Sequence, residues 1–187
     1  INNTWTKIVK NMNFSLSVIP IIDLSGPQKY NAIGLGVLMA QISTYKKIII
    51  VENEFQVINI DDNDKFIDIL RRFFEYRCVF FNISYTFSCL FQTHNSCYVD
   101  PMSYVVLSSE ENIIKNQDSI YNLYDKNVFV ILWNVLNNSD SIRSLHLDKF
   151  CYMSGTTPNL LYNLKNEKFK DLNKTSSNFS ILDKSLR

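Results

Sequence analysis

The sequence predicts an α/β domain with a doubly wound, mostly parallel central sheet, one antiparallel edge strand and helices on both faces. Uncharged, largely apolar runs at residues 14–22 and 127–135 are typical of strands buried on both sides, as in parallel sheets covered by helices. Such runs alternate along the chain with segments whose apolar residues recur at helical spacing, which is the pattern of a doubly wound fold. Two further short runs, residues 47–51 and 55–60, are separated by a brief polar stretch, which predicts one hairpin at the edge.

The length and composition of the chain fit one domain with a substantial core. It has 187 residues, of which 46% are hydrophobic and 20% are charged. Its 19 lysines and arginines nearly balance 18 aspartates and glutamates, so the net charge of +1 gives no global sign of binding to nucleic acid or an anionic membrane. We expect a helical lead-in at residues 1–12, the α/β domain at residues 13–166 and a polar C-terminal tail at residues 167–187.

After the amphipathic lead-in and the first strand, the first half of the chain is predicted to contain two helices around the hairpin. Residues 28–44 are apolar nearly all round, which is typical of a buried helix. Gly34 and Gly36 in this helix would permit close contact with a sheet. A later helix at residues 66–76 follows Asp64, which we expect to be its N-terminal cap.

The second half is predicted to continue the alternation of helices and strands. Residues 78–83 are apolar, and their pattern leaves helix and strand open. The last helix would begin with Thr157 as cap and Pro158 as first residue. The predicted helices lie at residues 84–92, 113–124 and 158–165, and the predicted strands lie at residues 103–108, 127–135 and 149–153.

A carboxylate at the end of the first strand is the leading candidate for a functional residue. Asp23 directly follows the run at residues 14–22, and Ser25 and Gly26 then turn the chain toward the next helix. Open α/β sheets bind ligands outside the carboxyl ends of their strands, so an aspartate and a serine there could form half of a metal or anion site. The same residues also fit a structural role, in which Asp23 caps the following helix or accepts hydrogen bonds from loop amides.

Four short motifs resemble one known family. Residues 22–26, IDLSG, are similar to a strand ending Asp-x-Ser-Gly-Ser, and residues 32–38, AIGLGVL, to a helix reading Ala-Ile-x-Leu-Gly-Leu-Leu. Residues 133–134, WN, match the end of a later strand, and residues 154–161, SGTTPNLL, match a Ser-Gly-x-x-Pro-Asn-Leu-Leu segment. The chain thus resembles the von Willebrand factor A-like domain at the C-terminal end of plant and giant-virus proteins of unknown function, relatives of the Ro (TROVE) RNA-binding proteins. This resemblance implies a Rossmann-like sheet.

The resemblance also implies a place for a divalent cation at the carboxyl edge of the sheet. In von Willebrand factor A domains the cation is held by an Asp and two Ser of a first loop, a Thr of a second loop and an Asp of a third. Asp23 and Ser25 match the first two of these ligands. Pro27 stands where the second serine belongs and offers no side-chain oxygen, so one ligand of the first loop is lost.

The other two loops match the family's ligands less well. An ungapped match puts Tyr85 at the threonine position, with Thr86 beside it, and puts Ser109 where the family has its aspartate. A hard cation such as magnesium needs oxygens in a near-octahedral array. The resemblance therefore implies a degenerate metal-ion-dependent adhesion site with no metal and no cofactor, whose remaining rim consists of Asp23, Ser25, Thr86 and Ser109.

The sequence contains no constellation that indicates catalysis. Its four cysteines form no C-x-x-C pair, and only two histidines are available to complete a zinc site. Cys97 and His94 are the only cysteine and histidine close in sequence, and no orienting group is identifiable near them. His146 lies between two leucines and is expected to be a surface or hydrogen-bonded residue. We therefore predict no catalytic residue and no enzyme activity.

These features predict a non-catalytic protein-protein interaction or scaffold module, which we expect to be the C-terminal domain of a larger protein. Its partner would be another protein or another domain of the same chain, and we expect neither a membrane nor a small-molecule substrate. The alternative is an RNA-associated domain of a Ro-like ribonucleoprotein, with RNA bound through the parent protein. Arg71 and Arg72 are candidates for phosphate contact in that case, and otherwise form a solvated helix face.

Composition also bears on origin and compartment. The excess of Asn, Ile, Lys and Tyr is typical of an A+T-rich genome, such as that of a large DNA virus or a parasite. Cysteines without a disulfide or metal pattern favour a reducing compartment. We therefore expect an intracellular, cytoplasmic protein, with association to a virion as a further expectation.

Overall fold

The described part of the chain forms a seven-stranded sheet with helices on both faces, in a computed structural model. A short helical segment spans residues 85–89, and a 3-10 turn at Pro158–Leu160 directly precedes the last helix. The structure describes residues 2–51, 55–76, 82, 85–89, 103–116, 129–136, 141–144 and 150–165. The helices are α1 (Asn2–Asn11), α2 (Lys29–Ile42), α3 (Phe66–Phe74), α4 (Glu110–Lys115) and α5 (Leu161–Lys165). The strands are β1 (Val18–Ile22), β2 (Lys47–Val51), β3 (Phe55–Asn59), β4 (Ser103–Ser108), β5 (Phe129–Asn134), β6 (Ser141–Ser144) and β7 (Phe150–Ser154).

The strand order confirms the predicted fold class. It runs β3-β2-β1-β4-β5-β7-β6, and the strands from β2 to β7 in this order are parallel. β3 pairs antiparallel with β2, which confirms the predicted hairpin pairing and edge strand. At the opposite edge β6 pairs antiparallel with β7, and this second antiparallel strand was not among the sequence predictions. From β1 the chain moves outward to β2 and later returns to the other side of β1 through β4, so the strand order reverses between β1 and β4.

Both faces of the sheet are covered, which explains why its central strands are apolar at nearly every position. All residues of β1 and β4 are buried, and successive side chains in a strand point to opposite faces. On one face Ile22 and Trp133 pack with the buried residues of α2. On the other face Ile21 and Val106 pack with Ile113 of α4. The helices therefore lie in two layers around one sheet, as the sequence predicted.

Helix α2 is buried along most of its length, as its continuous apolar pattern predicted. A Cβ added at Gly36 would lie only 2.4 Å from Cδ1 of Ile22, well inside van der Waals contact. The close approach of α2 to β1 therefore depends on the missing side chain at this position. A Cβ added at Gly34 would meet no described atom within 4 Å. The prediction that these glycines permit close contact with the sheet is right for Gly36 and wrong for Gly34.

Helix α1, the predicted lead-in, packs against α2 and α3. The indole ring of Trp5 stacks on the ring of Phe66 in α3, with centroids 3.8 Å apart and an interplanar angle of 17°. The indole N–H of Trp5 also donates a hydrogen bond to Oε1 of Gln41 in α2. At the start of α1, Oδ1 of Asn2 accepts the backbone N–H of Ile67 at 3.3 Å. These contacts attach the first helix to the layer that covers β1 and β2.

Helix α3 begins without the predicted aspartate cap. Its N-cap position is occupied by Lys65. The carboxylate of Asp64 instead accepts the backbone N–H of Asp61 at 3.0 Å and pairs with the guanidinium of Arg72 at 3.0 Å. Charge-assisted hydrogen bonds are stronger than neutral ones, so the arginine is the better partner for this carboxylate. The prediction that Asp64 caps the helix is wrong.

In the second half, the predicted strands agree better with the structure than the predicted helix starts. β4 coincides with its predicted run, and β7 is displaced by one residue from residues 149–153. The helix predicted to begin at Ile113 begins at Glu110, because Ser109 acts as its N-cap and its hydroxyl accepts the backbone N–H of Asn112 at 3.3 Å. The predicted segments at residues 78–83 and 167–187, and the second part of the helix predicted at residues 113–124, lie wholly or largely outside the described residues.

Candidate functional site

Asp23 lies at the carboxyl edge of the sheet, between β1 and β4. It directly follows β1, and its backbone N–H donates to the carbonyl oxygen of Leu107 in β4 at 3.0 Å. Asp23 is fully buried, with 0% of its surface exposed. Because the strand order reverses between β1 and β4, this is the position at which open α/β sheets form their ligand crevice.

One oxygen of the Asp23 carboxylate closes the turn that follows β1. Its Oδ1 accepts the backbone N–H of Ser25 at 2.8 Å and the hydroxyl of Ser25 at 2.5 Å. An aspartate that accepts hydrogen bonds from the residue two positions ahead is a common way to stabilise a tight turn. The sequence order Asp-Leu-Ser therefore sets the geometry of this loop locally, before any distant residue is involved.

The other oxygen joins three further elements. Oδ2 of Asp23 accepts the Nε2 amide of Gln28 at 3.0 Å, the hydroxyl of Ser108 at 2.5 Å and the Nδ2 amide of Asn112 at 2.7 Å. Gln28 is the residue before α2, Ser108 ends β4, and Asn112 lies in the first turn of α4. Nδ2 of Asn112 also donates to the hydroxyl oxygen of Ser25 at 3.1 Å. We call Asp23, Ser25, Gln28, Ser108 and Asn112 the Asp23 cluster.

The negative charge of Asp23 is balanced by neutral donors. None of the ion pairs in the described part of the chain includes Asp23. An ionised carboxylate offers about four lone-pair positions, and here five donor groups compete for them. A hydrogen bond to a charged group contributes about 1.5–3 kcal/mol, so several of them together can offset the loss of water around a buried carboxylate.

Gly26 makes room for the buried side chain of Gln28. A Cβ added at Gly26 would lie 2.2 Å from Oε1 of Gln28, and Gln28 is itself 0% exposed. Because the carboxylate of Asp23 can only accept, the amide group turns its NH2 toward Asp23 and its oxygen toward Gly26. That oxygen has no hydrogen-bond partner among the described residues. The contact of Gln28 with Asp23 therefore leaves one acceptor unsatisfied.

Known proteins give no further guide to this site. Comparison with protein-family models finds no matching family, and a search of curated proteins finds no match. The resemblance to von Willebrand factor A-like domains therefore stays a prediction from four short motifs.

The structure brings together two residues of the predicted rim, Asp23 and Ser25. Ser109 makes a local contact instead, since its hydroxyl caps α4, and its neighbour Ser108 is the residue that donates to Asp23. Thr86 is buried, and its hydroxyl donates to the backbone oxygen of Asn82, four residues earlier, at 2.8 Å. Of the four predicted rim residues, Asp23 and Ser25 thus share one hydrogen-bond network. Thr86 and Ser109 each make a hydrogen bond to a residue close in sequence.

Gln28, Ser108 and Asn112 were not among the sequence-predicted site residues. The position of Asn112 depends on where α4 begins: with the helix predicted from Ile113, the asparagine falls in a loop. The Ser-x-x-Asn spacing of Ser109 and Asn112 was the available signal, since a serine cap places the third residue after it in the first turn. That turn follows β4, the parallel neighbour of β1, and so lies near Asp23.

Trp133 and Asn134, the Trp-Asn pair of the resemblance, connect the ends of β5 and β7. The indole N–H of Trp133 donates to the carbonyl oxygen of Gly155 at 2.8 Å. The carbonyl oxygen of Asn134 accepts the N–H of Gly155 at 3.1 Å, and its Oδ1 accepts the N–H of Leu136 at 3.1 Å. Gly155 has φ of 125°, a conformation that favours glycine. These contacts hold the end of β5 against the residue that follows β7.

Cys151, in β7, is a buried cysteine among the described residues. Burial raises the pKa of the Cys151 thiol to about 12, so this cysteine is protonated at neutral pH. Among the described residues, no group of three or more His, Cys, Asp or Glu side chains could hold a metal ion. No helix of the described residues is both long and apolar enough to cross a membrane. Cys78, His94, Cys97 and His146 lie outside the described residues.

Proposed function

We propose that this chain is a non-catalytic protein-protein interaction or scaffold module, a von Willebrand factor A-like domain whose cation site has decayed. The observation that supports this most is the saturation of the Asp23 carboxylate. Five protein donors converge on it, and Asp23 has no exposed surface. The residue that the resemblance assigns as a cation ligand therefore connects the first loop to Gln28, Ser108 and Asn112 inside the fold.

A cation at this position does not fit the residues that surround Asp23. A working site of this kind needs several oxygen ligands and an open coordination position that a partner's carboxylate can fill. Oδ2 of Asp23 is covered by Gln28, Ser108 and Asn112, and two of these donors are amide nitrogens that cannot ligate a hard cation in this orientation. A bound ion would have to displace these hydrogen bonds.

The same geometry argues against an enzyme that uses the Asp23 cluster. The hydroxyls of Ser25 and Ser108 both donate to Asp23, which superficially resembles a nucleophile beside a base. Ser108 is 0% exposed, so a substrate could not reach its oxygen. Ser25 shares its oxygen with the amide of Asn112 at 3.1 Å. A nucleophile needs an accessible lone pair and a base that is free to take its proton.

Partner binding through the surface is supported by two apolar side chains at the carboxyl edge. Nδ2 of Asn31 donates to the carbonyl oxygen of Val135 at 3.0 Å and so joins the start of α2 to the end of β5. The residues adjacent to this hydrogen bond, Tyr30 and Leu136, are 68% and 44% exposed. Single exposed apolar residues are ordinary on a monomer, but two at one edge give a protein partner a hydrophobic contact.

The decay of the cation site is tested by calorimetric titration of the chain with Mg²⁺ and Mn²⁺. We expect no binding heat at millimolar cation, and no difference between the native chain and Asp23→Asn. Saturable binding that disappears in Asp23→Asn would contradict the proposal. An Asp62→Asn variant, which changes an exposed carboxylate, controls for binding to surface charge.

The interaction role is tested by co-purification of the longer protein that we expect to contain this chain, from its natural setting. Recovery of a specific partner that is weakened by Tyr30→Ser with Leu136→Ser would support the proposal. Phe74→Ser is the matched control, because Phe74 is an apolar residue that is 74% exposed on a different helix, α3. Recovery of RNA in place of a protein would favour the alternative function.

The RNA-associated alternative has less support from the described residues. The guanidinium groups of Arg71 and Arg72 are each 2.9–3.0 Å from a carboxylate, of Asp68 and Asp64 respectively. Arg72 also donates to the backbone oxygen of Asn59 at 2.9 Å. Filter binding of RNA at several salt concentrations separates the two functions, because phosphate contacts weaken steeply as salt rises. We expect weak binding with no specific, salt-dependent component.

A further inference from the structure

The side-chain nitrogen of Asn112 bridges two oxygens that belong to different parts of the first loop. It lies 2.7 Å from Oδ2 of Asp23 and 3.1 Å from Oγ of Ser25. The hydroxyl hydrogen of Ser25 is directed to Oδ1 of Asp23, so the Ser25 oxygen is free to accept. A single positively polarised group thus faces a carboxylate oxygen and a hydroxyl oxygen at the same time.

A divalent cation bound between Asp23 and Ser25 would contact the same two oxygens as the Asn112 nitrogen. Magnesium lies about 2.1 Å and calcium about 2.3–2.6 Å from its oxygen ligands. The nitrogen of an N–H···O hydrogen bond lies about 2.7–3.2 Å from its acceptor, on the same lone-pair directions. The amide nitrogen of Asn112 therefore occupies the side of Asp23 and Ser25 from which an ion would approach, at hydrogen-bond rather than coordination distance.

We propose that the Asn112 carboxamide is an internal replacement for a divalent cation. It supplies to Asp23 and Ser25 the positive contact that an ion would supply, and it does so with no dependence on ion concentration. The inference rests on the proposed function, in that it explains how the loops at the carboxyl edge keep their shape after the cation site has decayed. Asn112 is a positioning residue in this scheme, since it holds Asp23 and Ser25 against α4.

The proposal has a chemical consequence for a single substitution. Asn112→Asp would replace the donor nitrogen by a second carboxylate oxygen close to Oδ2 of Asp23. Two carboxylates in contact repel each other unless a proton or a cation lies between them. With the hydroxyls of Ser25 and Ser108, the two carboxylates would form a set of oxygen ligands of the kind that magnesium, manganese and calcium prefer. The variant should therefore need a cation where the native chain needs none.

The test is thermal unfolding of the native chain, Asn112→Asp and Asn31→Asp, each in chelator and in millimolar Mg²⁺, Mn²⁺ or Ca²⁺. In chelator we expect the Tm of Asn112→Asp to fall by on the order of 5–10 °C, and at least one of the cations to restore most of this loss. The native chain and Asn31→Asp should shift by less than about 1 °C on adding cation. Asn31 is the matched control, because its amide also lies at the carboxyl edge but donates to a backbone carbonyl.

Two further measurements test the proposal even if Asn112→Asp does not fold. Asn112→Ala removes the amide without adding charge, and Mn²⁺ should restore part of its lost Tm. Mn²⁺ binding, followed by electron paramagnetic resonance, should appear in whichever variant folds and disappear when Asp23→Asn is added. The absence of a cation effect in both variants would overturn the inference while leaving the decayed site intact. Binding of Mn²⁺ by the native chain would instead contradict the proposed function.

Discussion

Aspartates at the two opposite edges of the sheet are held in different ways. At the carboxyl edge, Asp23 is fully buried, and its partners among the described residues are neutral amides and hydroxyls. At the amino edge, near the start of β2, Asp62 pairs with Lys46 at 2.9 Å and Asp64 pairs with Arg72 at 3.0 Å. The side chain of Asp62 is 82% exposed, and that of Asp64 is 16% exposed.

The comparison shows that access to water, more than the number of opposite charges nearby, sets the energetic importance of a carboxylate. Water can replace a partner at Asp62, so an exposed ion pair there contributes about 0–1 kcal/mol. Asp23 is 0% exposed, so the buried donors of Gln28 and Ser108 would be left unsatisfied if the carboxylate were removed. The exposed fraction of Asp64, 16%, lies between those of Asp23 and Asp62, so we expect an intermediate energetic contribution.

The largest effect is expected for Asp23→Ala. This variant should lose about 3–4 kcal/mol of unfolding free energy, because donors from the first loop, α2, β4 and α4 lose their common acceptor. Urea denaturation measures the loss through the midpoint at unchanged slope. A loss below about 1 kcal/mol would show that water enters the cluster and would remove the contrast with the amino edge.

An intermediate effect is expected for Gly26→Ala, which tests how far the Asp23 cluster can shift. The added Cβ would lie 2.2 Å from Oε1 of Gln28 and should cost about 1–3 kcal/mol, because Gln28 must move away from Asp23. In a Gln28→Ala background the same change should cost less than about 1 kcal/mol, which a double-mutant cycle measures.

Gly34→Ala is the matched control for this glycine substitution. It meets no described atom and should gain about 0.5–1 kcal/mol from helix propensity. If Gly26→Ala costs the same unfolding free energy in the native chain and in the Gln28→Ala background, a clash with a Gln28 side chain held by Asp23 is not the cause of that cost.

The smallest effects are expected at the amino edge, in the pair Asp64→Ala and Asp62→Ala. The first should cost about 1–2 kcal/mol, since Asp64 binds both Arg72 and the N–H of Asp61 and is mostly buried. The second should cost less than about 0.5 kcal/mol and should cost nothing measurable at high salt. If Asp62→Ala cost more than Asp64→Ala, exposure would not be what separates the two edges.

The central strands could be predicted from the sequence because their burial on both faces demands continuous apolar runs. β6 could not, since its residues SIRS contain one apolar side chain, and its strand conformation depends on pairing with β7. Edge strands of this kind are defined by their neighbour more than by their own pattern. The start of α4 was missed for a related reason, because a serine cap outweighed the apolar spacing that suggested Ile113.

For the site, sequence reasoning found the residues of the first loop and missed those that come from elsewhere. Asp23 and Ser25 are two residues apart, and the end of a buried strand fixes where they lie. Ser108 and Asn112 are 85 and 89 residues from Asp23, and only the pairing of β1 with β4 brings them close. Residue types alone do not reveal which of many serines and asparagines will share a crevice.

The two tryptophans of the chain lie in places that make them separate fluorescence probes. Trp133 is fully buried in the sheet, and its indole N–H donates a hydrogen bond to the carbonyl oxygen of Gly155. Trp5, in contrast, stacks on Phe66 between α1 and α3. In Trp5→Phe the emission would report only on the centre of the sheet, and in Trp133→Phe only on the attachment of the first helix. A shift in emission wavelength could thus distinguish detachment of α1 from global unfolding without any added label.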